Sequence, residues 1–220
     1  MEPCRDDVPP SICVFEKYWE DYDAWYAANR EIAESEVMVV ERSLRGAPRP
    51  IAEIGVGTGF FAYRLGMELG VDPAYNMLRV ARSRGIEVVQ GVGEHPPFRA
   101  SSLGAAVIIV TLCFAPDPWG LVKEAVDTVR RGGRIISCIV PRDSPWGRRY
   151  LELARRGDPF YSVARFYTVG EVEEMYRQAG VKPRGCWSTL SYGPDDEPRL
   201  EKPWNTCRGG FVCIVGEKEV

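Results

Sequence analysis

The stretch PIAEIGVGTGFFAYRLG, residues 50–66, sets one carboxylate and three alternate glycines between an apolar run and an amphipathic one. Gly55, Gly57 and Gly59 let a ligand come against the main chain, and the free N–H groups that open the next helix favour negative charge. A dinucleotide pyrophosphate is the obvious ligand, but its fingerprint needs a small residue at the sixth position, where helix packs on strand. Phe60 stands there, and Glu53, two places before the first glycine, would repel a pyrophosphate. The loop suits a zwitterion better, with an amine near Glu53 and a carboxylate at the helix. The next apolar run ends GVDP and puts Asp72 at a strand's carboxyl edge, where it can accept from both hydroxyls of a ribose. An amino acid joined to a ribonucleoside satisfies both observations.

Only a parallel sheet would gather these residues, and the chain alternates as one requires. Residues 15–44 read as one or two helices, with Phe15, Tyr18, Tyr22, Trp25 and Tyr26 at helical spacing. Then come strands near 51–54, 67–71, 86–90, 105–110 and 134–140, with helices near 59–66, 74–84 and 118–130 between them. Such alternation implies crossover units, α/β class, with helices on both faces of the sheet. Segment 142–167 reads as irregular and caps something. Thr168 with Glu171 forms a capping box, and Gly180 closes that helix. Two last strands, near 184–192 and 211–217, pair antiparallel at one edge, completing seven strands.

Composition narrows the function. A chain of 220 residues with 45% hydrophobic content suits one large domain, 1–220, with a helical cap at 12–45 and a lid at 142–167. The net charge of −3 and the scattered basic residues offer no footprint for nucleic acid. No apolar run could span a bilayer, and the opening MEPCRDDVPP is unlike a signal peptide, so a cytoplasmic protein without a membrane partner is expected. Seven cysteines without CxxC and the single His95 give no metal-ligand spacing. Arginine far outnumbers lysine and side-chain amides are few, which points to a thermophile. Intracellular disulfides occur in such hosts, with Cys207 to Cys213 or Cys186 as candidate pairs; buried free thiols are the alternative.

With Glu53, the glycines, Asp72, QGVGEHPPF, VTLCFAPDP and VRRGGRIISCIV in place, the chain resembles a class I S-adenosylmethionine-dependent methyltransferase. The resemblance is to the type 11 group that includes ubiquinone and menaquinone biosynthesis methyltransferases. It implies a Rossmann-like three-layer sandwich, mostly parallel, with an antiparallel edge strand, and S-adenosylmethionine as cofactor. Residue by residue it puts Glu53, Gly55, Gly57 and Gly59 around the methionine end, Asp72 on the ribose, and Pro73 and Met77 against the adenine. Val92 stands where the family usually has an aspartate for the adenine amino group, so main-chain contacts at Val92 and Gly93, beside Glu94, would serve. Thr111 and Leu112 pass nearest the cofactor, Tyr22 covers it, and Cys113 and Phe114 face the acceptor. Arg131 replaces a proline in the turn before the fifth strand.

Methyl transfer from a sulfonium needs alignment and water exclusion more than a dedicated base. The expected acceptor is a small molecule in a chamber of Tyr18, Trp25, Tyr26, Cys113, Phe114, Trp146 and Phe166, with Arg142 or Arg148 for an anionic group. The sequence singles out no catalytic residue; Tyr26, Tyr161, Tyr167, His95 or an acidic lid residue could take a proton. A cofactor-binding protein without turnover and a nicotinamide-dependent oxidoreductase are the competing functions, the latter opposed by Phe60 and Glu53.

Overall fold

The computed structural model describes residues 8–219; segment 1–7, most of the acidic opening, and Val220 lie outside the described residues. Three helices come first, α1 (Pro10–Lys17), α2 (Trp19–Ala28) and α3 (Arg30–Leu44). They are three because the backbone leaves helical angles at Tyr18 and Asn29. There follow β1 (Ile51–Ile54), α4 (Phe60–Leu65), β2 (Leu69–Asp72), α5 (Tyr75–Ser83) and β3 (Glu87–Gln90). The second half holds β4 (Leu103–Ile109), α6 (Pro118–Thr128), β5 (Val129–Ile139), α7 (Pro145–Arg155), α8 (Val169–Gln178), β6 (Val181–Thr189) and β7 (Phe211–Lys218).

The seven strands form one sheet in the order β3-β2-β1-β4-β5-β7-β6, parallel throughout except for β7, which runs antiparallel to both β5 and β6. The reversed strand therefore sits one place inside the edge. β6 takes the edge itself, where Pro183 lacks an N–H at little cost and the register shifts at Pro183/Gly185. Strand residues alternate between two cores. Ala105, Val107, Ile136 and Cys138 face α3, α4, α5 and α7, whereas Ala106, Ile108, Ile135 and Ile214 face α6 and α8. This is the Rossmann-like three-layer sandwich.

Segment 142–167, read as irregular, contains α7. Ser144 Oγ accepts from Gly147 N–H at 2.9 Å and Pro145 takes the first helical position, a helix start that the sequence SPWG carries. The capping box at Thr168 and Glu171 is present, and Gly180 at φ 75 follows α8. Cys186 pairs with Cys207, and Cys138 with Cys213, directly opposite across β5 and β7. The first is one of the two candidate pairs; Cys213 takes a partner not foreseen.

Two polar links tie α1 and α2 to α5 and the glycine loop. Arg84, just past α5, donates to both carboxylate oxygens of Asp23 on α2 at 2.8 and 2.9 Å, and to Thr58 O at 2.7 Å. On α1, Glu16 accepts from Asn76 N–H through its carboxylate and from the Asn76 side chain through its carbonyl, both at 3.1 Å. Arg84→Met removes the first link and leaves the second. It should cost about 1–2 kcal/mol in urea unfolding and speed amide exchange across 19–28 while the central strands stay protected.

Candidate active site

The strand order reverses between β1 and β4, and the ends of β1, β2 and β4 open on a cavity of about 270 Å³. Asp72 closes β2, buried, and its two carboxylate oxygens accept from Gly57 N–H and Ala74 N–H, each at 2.9 Å. One side chain thus ties the glycine loop to the start of α5. Burial pushes the Asp72 carboxyl up to about 6, with those two amides opposing the rise and Glu16 adding to it.

The glycines differ in what they admit. A Cβ on Gly55, at φ 77, would lie 2.3 Å from Thr111 Oγ1. Gly57, at φ 52, sits under the Tyr22 ring, and a Cβ on Gly59 would meet Ile86 Cδ1 at 2.3 Å. Opposite them, Val110 leaves β4 at φ 50, a left-handed angle that strains a β-branched residue. Its N–H donates to Cys138 O at 2.8 Å, and Thr111 Oγ1 donates to Ile109 O at 3.0 Å. On β1, Glu53 is buried with Oε2 lacking a hydrogen-bond partner. Burial holds its carboxyl well above the usual range, and the nearby Asp72 charge adds to this.

Of the residues expected at a cofactor, Tyr22, Gly55, Gly57, Asp72, Pro73 and Met77 line this cavity, as do Val92, Gly93, Glu94 and Thr111. Gly59, Leu112 and Glu53 do not. Gly59 serves close packing on α5 and Ile86, and Leu112 is buried in the α6 and α8 core.

A second cavity, about 140 Å³, adjoins the first, and Phe15, Tyr22, Ile109, Val110 and Phe114 line both. Phe15 stands edge-on to Phe114 with centroids 4.7 Å apart and reaches Phe160 at 5.5 Å, so α1 and the chain after α7 meet over it. Of the residues assigned to the acceptor from sequence, Trp25, Tyr26, Cys113, Phe114 and Phe166 line this chamber. Tyr18, Arg142 and Trp146 stand elsewhere. Tyr18 reaches only the Phe160 ring among aromatics, at 5.9 Å. Arg142 turns to Phe166 O and Glu171, both at 3.1 Å, and Arg148 to Asp143 O at 2.5 Å. Trp146 packs in the core and donates Nε1–H to Tyr192 O at 2.7 Å.

Of the candidate proton acceptors, Tyr26 and Tyr161 line the chamber; His95 is in an exposed loop and Tyr167 lies outside both cavities. Tyr26 Oη donates to Tyr22 Oη at 2.8 Å, and burial holds both phenols above their ordinary value. Burial pushes the Cys113 thiol up to about 12, so it lines the wall as a thiol. The sequence reading missed Glu36, which lines the chamber from α3 and is 7% exposed.

The methyltransferase domain family matches residues 52–137. The crystal structure of a Thermotoga maritima S-adenosylmethionine-dependent methyltransferase, described as a "possible histamine N-methyltransferase", superposes with a TM-score of 0.88 at 33% identity, covering 95% of this chain and 100% of that one. The chain belongs to the S-adenosylmethionine-dependent methyltransferases. An uncharacterized protein of Methanocaldococcus jannaschii is 36% identical, covering 93% of this chain and 98% of its own length. A demethylmenaquinone methyltransferase of Corynebacterium kroppenstedtii is 24% identical, covering 76% of each chain. S-adenosylmethionine is accordingly the cofactor of this methyltransferase.

The tightest constraint in the methyltransferase site is the pair Gly55 and Thr111. Gly55→Ala adds a Cβ at a left-handed angle and against a β-branched neighbour. It should cost about 2–3 kcal/mol in thermal or urea unfolding, whereas Gly66→Ala, left-handed but in open space, should cost about 1 kcal/mol.

Proposed function

We propose that this methyltransferase acts on a small-molecule acceptor held in the aromatic chamber, with the 270 Å³ cavity as donor site, in the cytoplasm. The observation that carries the reading is the wall of five residues common to both cavities, which sets a ligand in one directly beside a ligand in the other. When bound, S-adenosylmethionine supplies a methyl carbon already activated by its sulfonium. The chain then has to align, enclose and exclude water.

Asp72 keeps free lone pairs beyond those given to Gly57 and Ala74, and these accept from the ribose hydroxyls. Glu53, on β1 just before the glycine loop, does not line the cavity in this structure; its unpartnered Oε2 takes the ammonium of the methionine end once ligand binding opens the cavity to it, which offsets the cost of its burial. Pro73, Met77 and Val92 flank the adenine, and main-chain groups at Val92 and Gly93 hold its edge. Phe15, Tyr22 and Phe114 turn aromatic groups to the shared wall, and aromatic faces attract a sulfonium.

Titration with S-adenosylhomocysteine tests the donor site. Asp72→Ala should weaken binding by about 1.5–3 kcal/mol, and unchanged titration curves would remove Asp72 from the site. Asp72 accepts best as a carboxylate, and its carboxyl, pushed up to about 6, takes a proton as the pH falls. Affinity should therefore drop about tenfold between pH 7 and pH 5. Asp72→Asn should flatten that part of the profile and leave any share due to Glu53.

A further inference from the structure

The chamber holds a carboxyl for which the donor site has no use. Glu36 lies mid-way along α3 among buried residues, is itself 7% exposed, and makes no hydrogen bond or ion pair with any described residue. A buried carboxylate is unfavourable without a partner, and burial alone pushes the Glu36 carboxyl up to about 8. Among the described residues no lysine, arginine or histidine lines the chamber. The second carboxylate on its wall, Asp21, is at the exposed rim. The remaining wall is largely aromatic, with Trp25, Tyr26, Tyr150 and Tyr161 among its rings, and aromatic faces attract ammonium groups. The arginines expected to receive an anion are committed elsewhere, so an acidic acceptor would meet a carboxyl and no counter-charge.

We propose that Glu36 reads the charge of the methyl acceptor, which is a small primary or secondary amine bound as its ammonium form. The proposal rests on the methyl-transfer reading above and adds the class of acceptor.

Glu36 also has a place in the chemistry. The ammonium proton passes to the Glu36 carboxylate, a transfer that burial assists because it raises a carboxyl and lowers an ammonium. The freed nitrogen lone pair forms the N–C bond while the methyl C–S bond breaks, and both electrons of that bond stay on sulfur. The products are a methylated ammonium and a neutral thioether, and the proton on Glu36 leaves to solvent when the chamber opens. The other titratable groups facing Glu36 are the phenols of Tyr22 and Tyr26 on α2, Tyr150 on α7, Tyr161 after it, and Tyr192. All are held above their ordinary value and remain protonated at neutral pH. The Cys113 thiol does the same.

The test titrates small arylalkyl amines, phenethylamine first, into protein saturated with S-adenosylhomocysteine, each beside its neutral alcohol (2-phenylethanol) and a matching acid. In the wild type at least one amine should bind about tenfold tighter than its alcohol, and the acid should not bind. Glu36→Gln should lose the preference for amine over alcohol while its affinity for S-adenosylhomocysteine stays within about twofold. If no amine outbinds its alcohol in the wild type, the proposal is overturned without recourse to any variant. It is equally overturned if Glu36→Gln keeps the preference; in either case intact S-adenosylhomocysteine binding leaves the methyl-transfer reading standing. A wild type that does not bind S-adenosylhomocysteine would remove the donor site and this proposal with it.

Discussion

A single carboxylate receiving bonds from two loops sets the shape of the donor cavity. Asp72 holds Gly57 with one oxygen and Ala74 with the other, so the loop after β1 and the start of α5 are fixed to the end of β2 and to each other. With that loop fixed, Gly55 leaves room for Thr111, which directly follows the left-handed turn at Val110. The strain at Val110 is of a kind that persists only where surrounding structure imposes it. Here the residue lies in the wall between donor cavity and chamber.

The second theme is charge. Asp72, Glu53 and Glu36 are all buried, and burial raises the carboxyl of each. No positive side chain among the described residues pairs with any of them, in contrast to the surface, where Arg64, Arg142, Arg156 and Arg177 pair with glutamates. A chain that leaves three carboxyls buried this way carries a stability cost that cationic ligands relieve. In the proposed arrangement the donor brings an ammonium and a sulfonium, and the acceptor brings another ammonium. Ligand binding and deprotonation of the site are then linked, and enclosure by α1, α2 and the chain around α7 strengthens each ion pair.

Much of this was legible in the sequence, for physical reasons. The alternation of apolar runs with amphipathic ones gave the parallel sheet, and Thr168 with Glu171 marked a helix start because both halves of a capping box lie within four residues. Features that depend on distant partners were not legible. Trp146 reads as a chamber residue until Tyr192, 46 positions away, takes its N–H. Cys138 meets Cys213 only once the register of β5 on β7 is known. Helix α7 had a local signal, Ser144 before Pro145, that an arginine-rich context obscured. Glu36 had one too: it falls midway between Ile32 and Val40 at four-residue steps on the buried face of α3, where a charged residue is out of place.

The central claim is that donor and acceptor meet across the wall formed by Phe15, Tyr22, Ile109, Val110 and Phe114. A crystal structure of the protein with S-adenosylhomocysteine measures this most directly. The account requires the ligand in the 270 Å³ cavity, its ammonium within hydrogen-bond reach of Glu53 Oε2, and its sulfur turned to Val110 and Phe114. A ligand bound outside that cavity, or seated in it with the sulfur facing away from the chamber, would contradict the account.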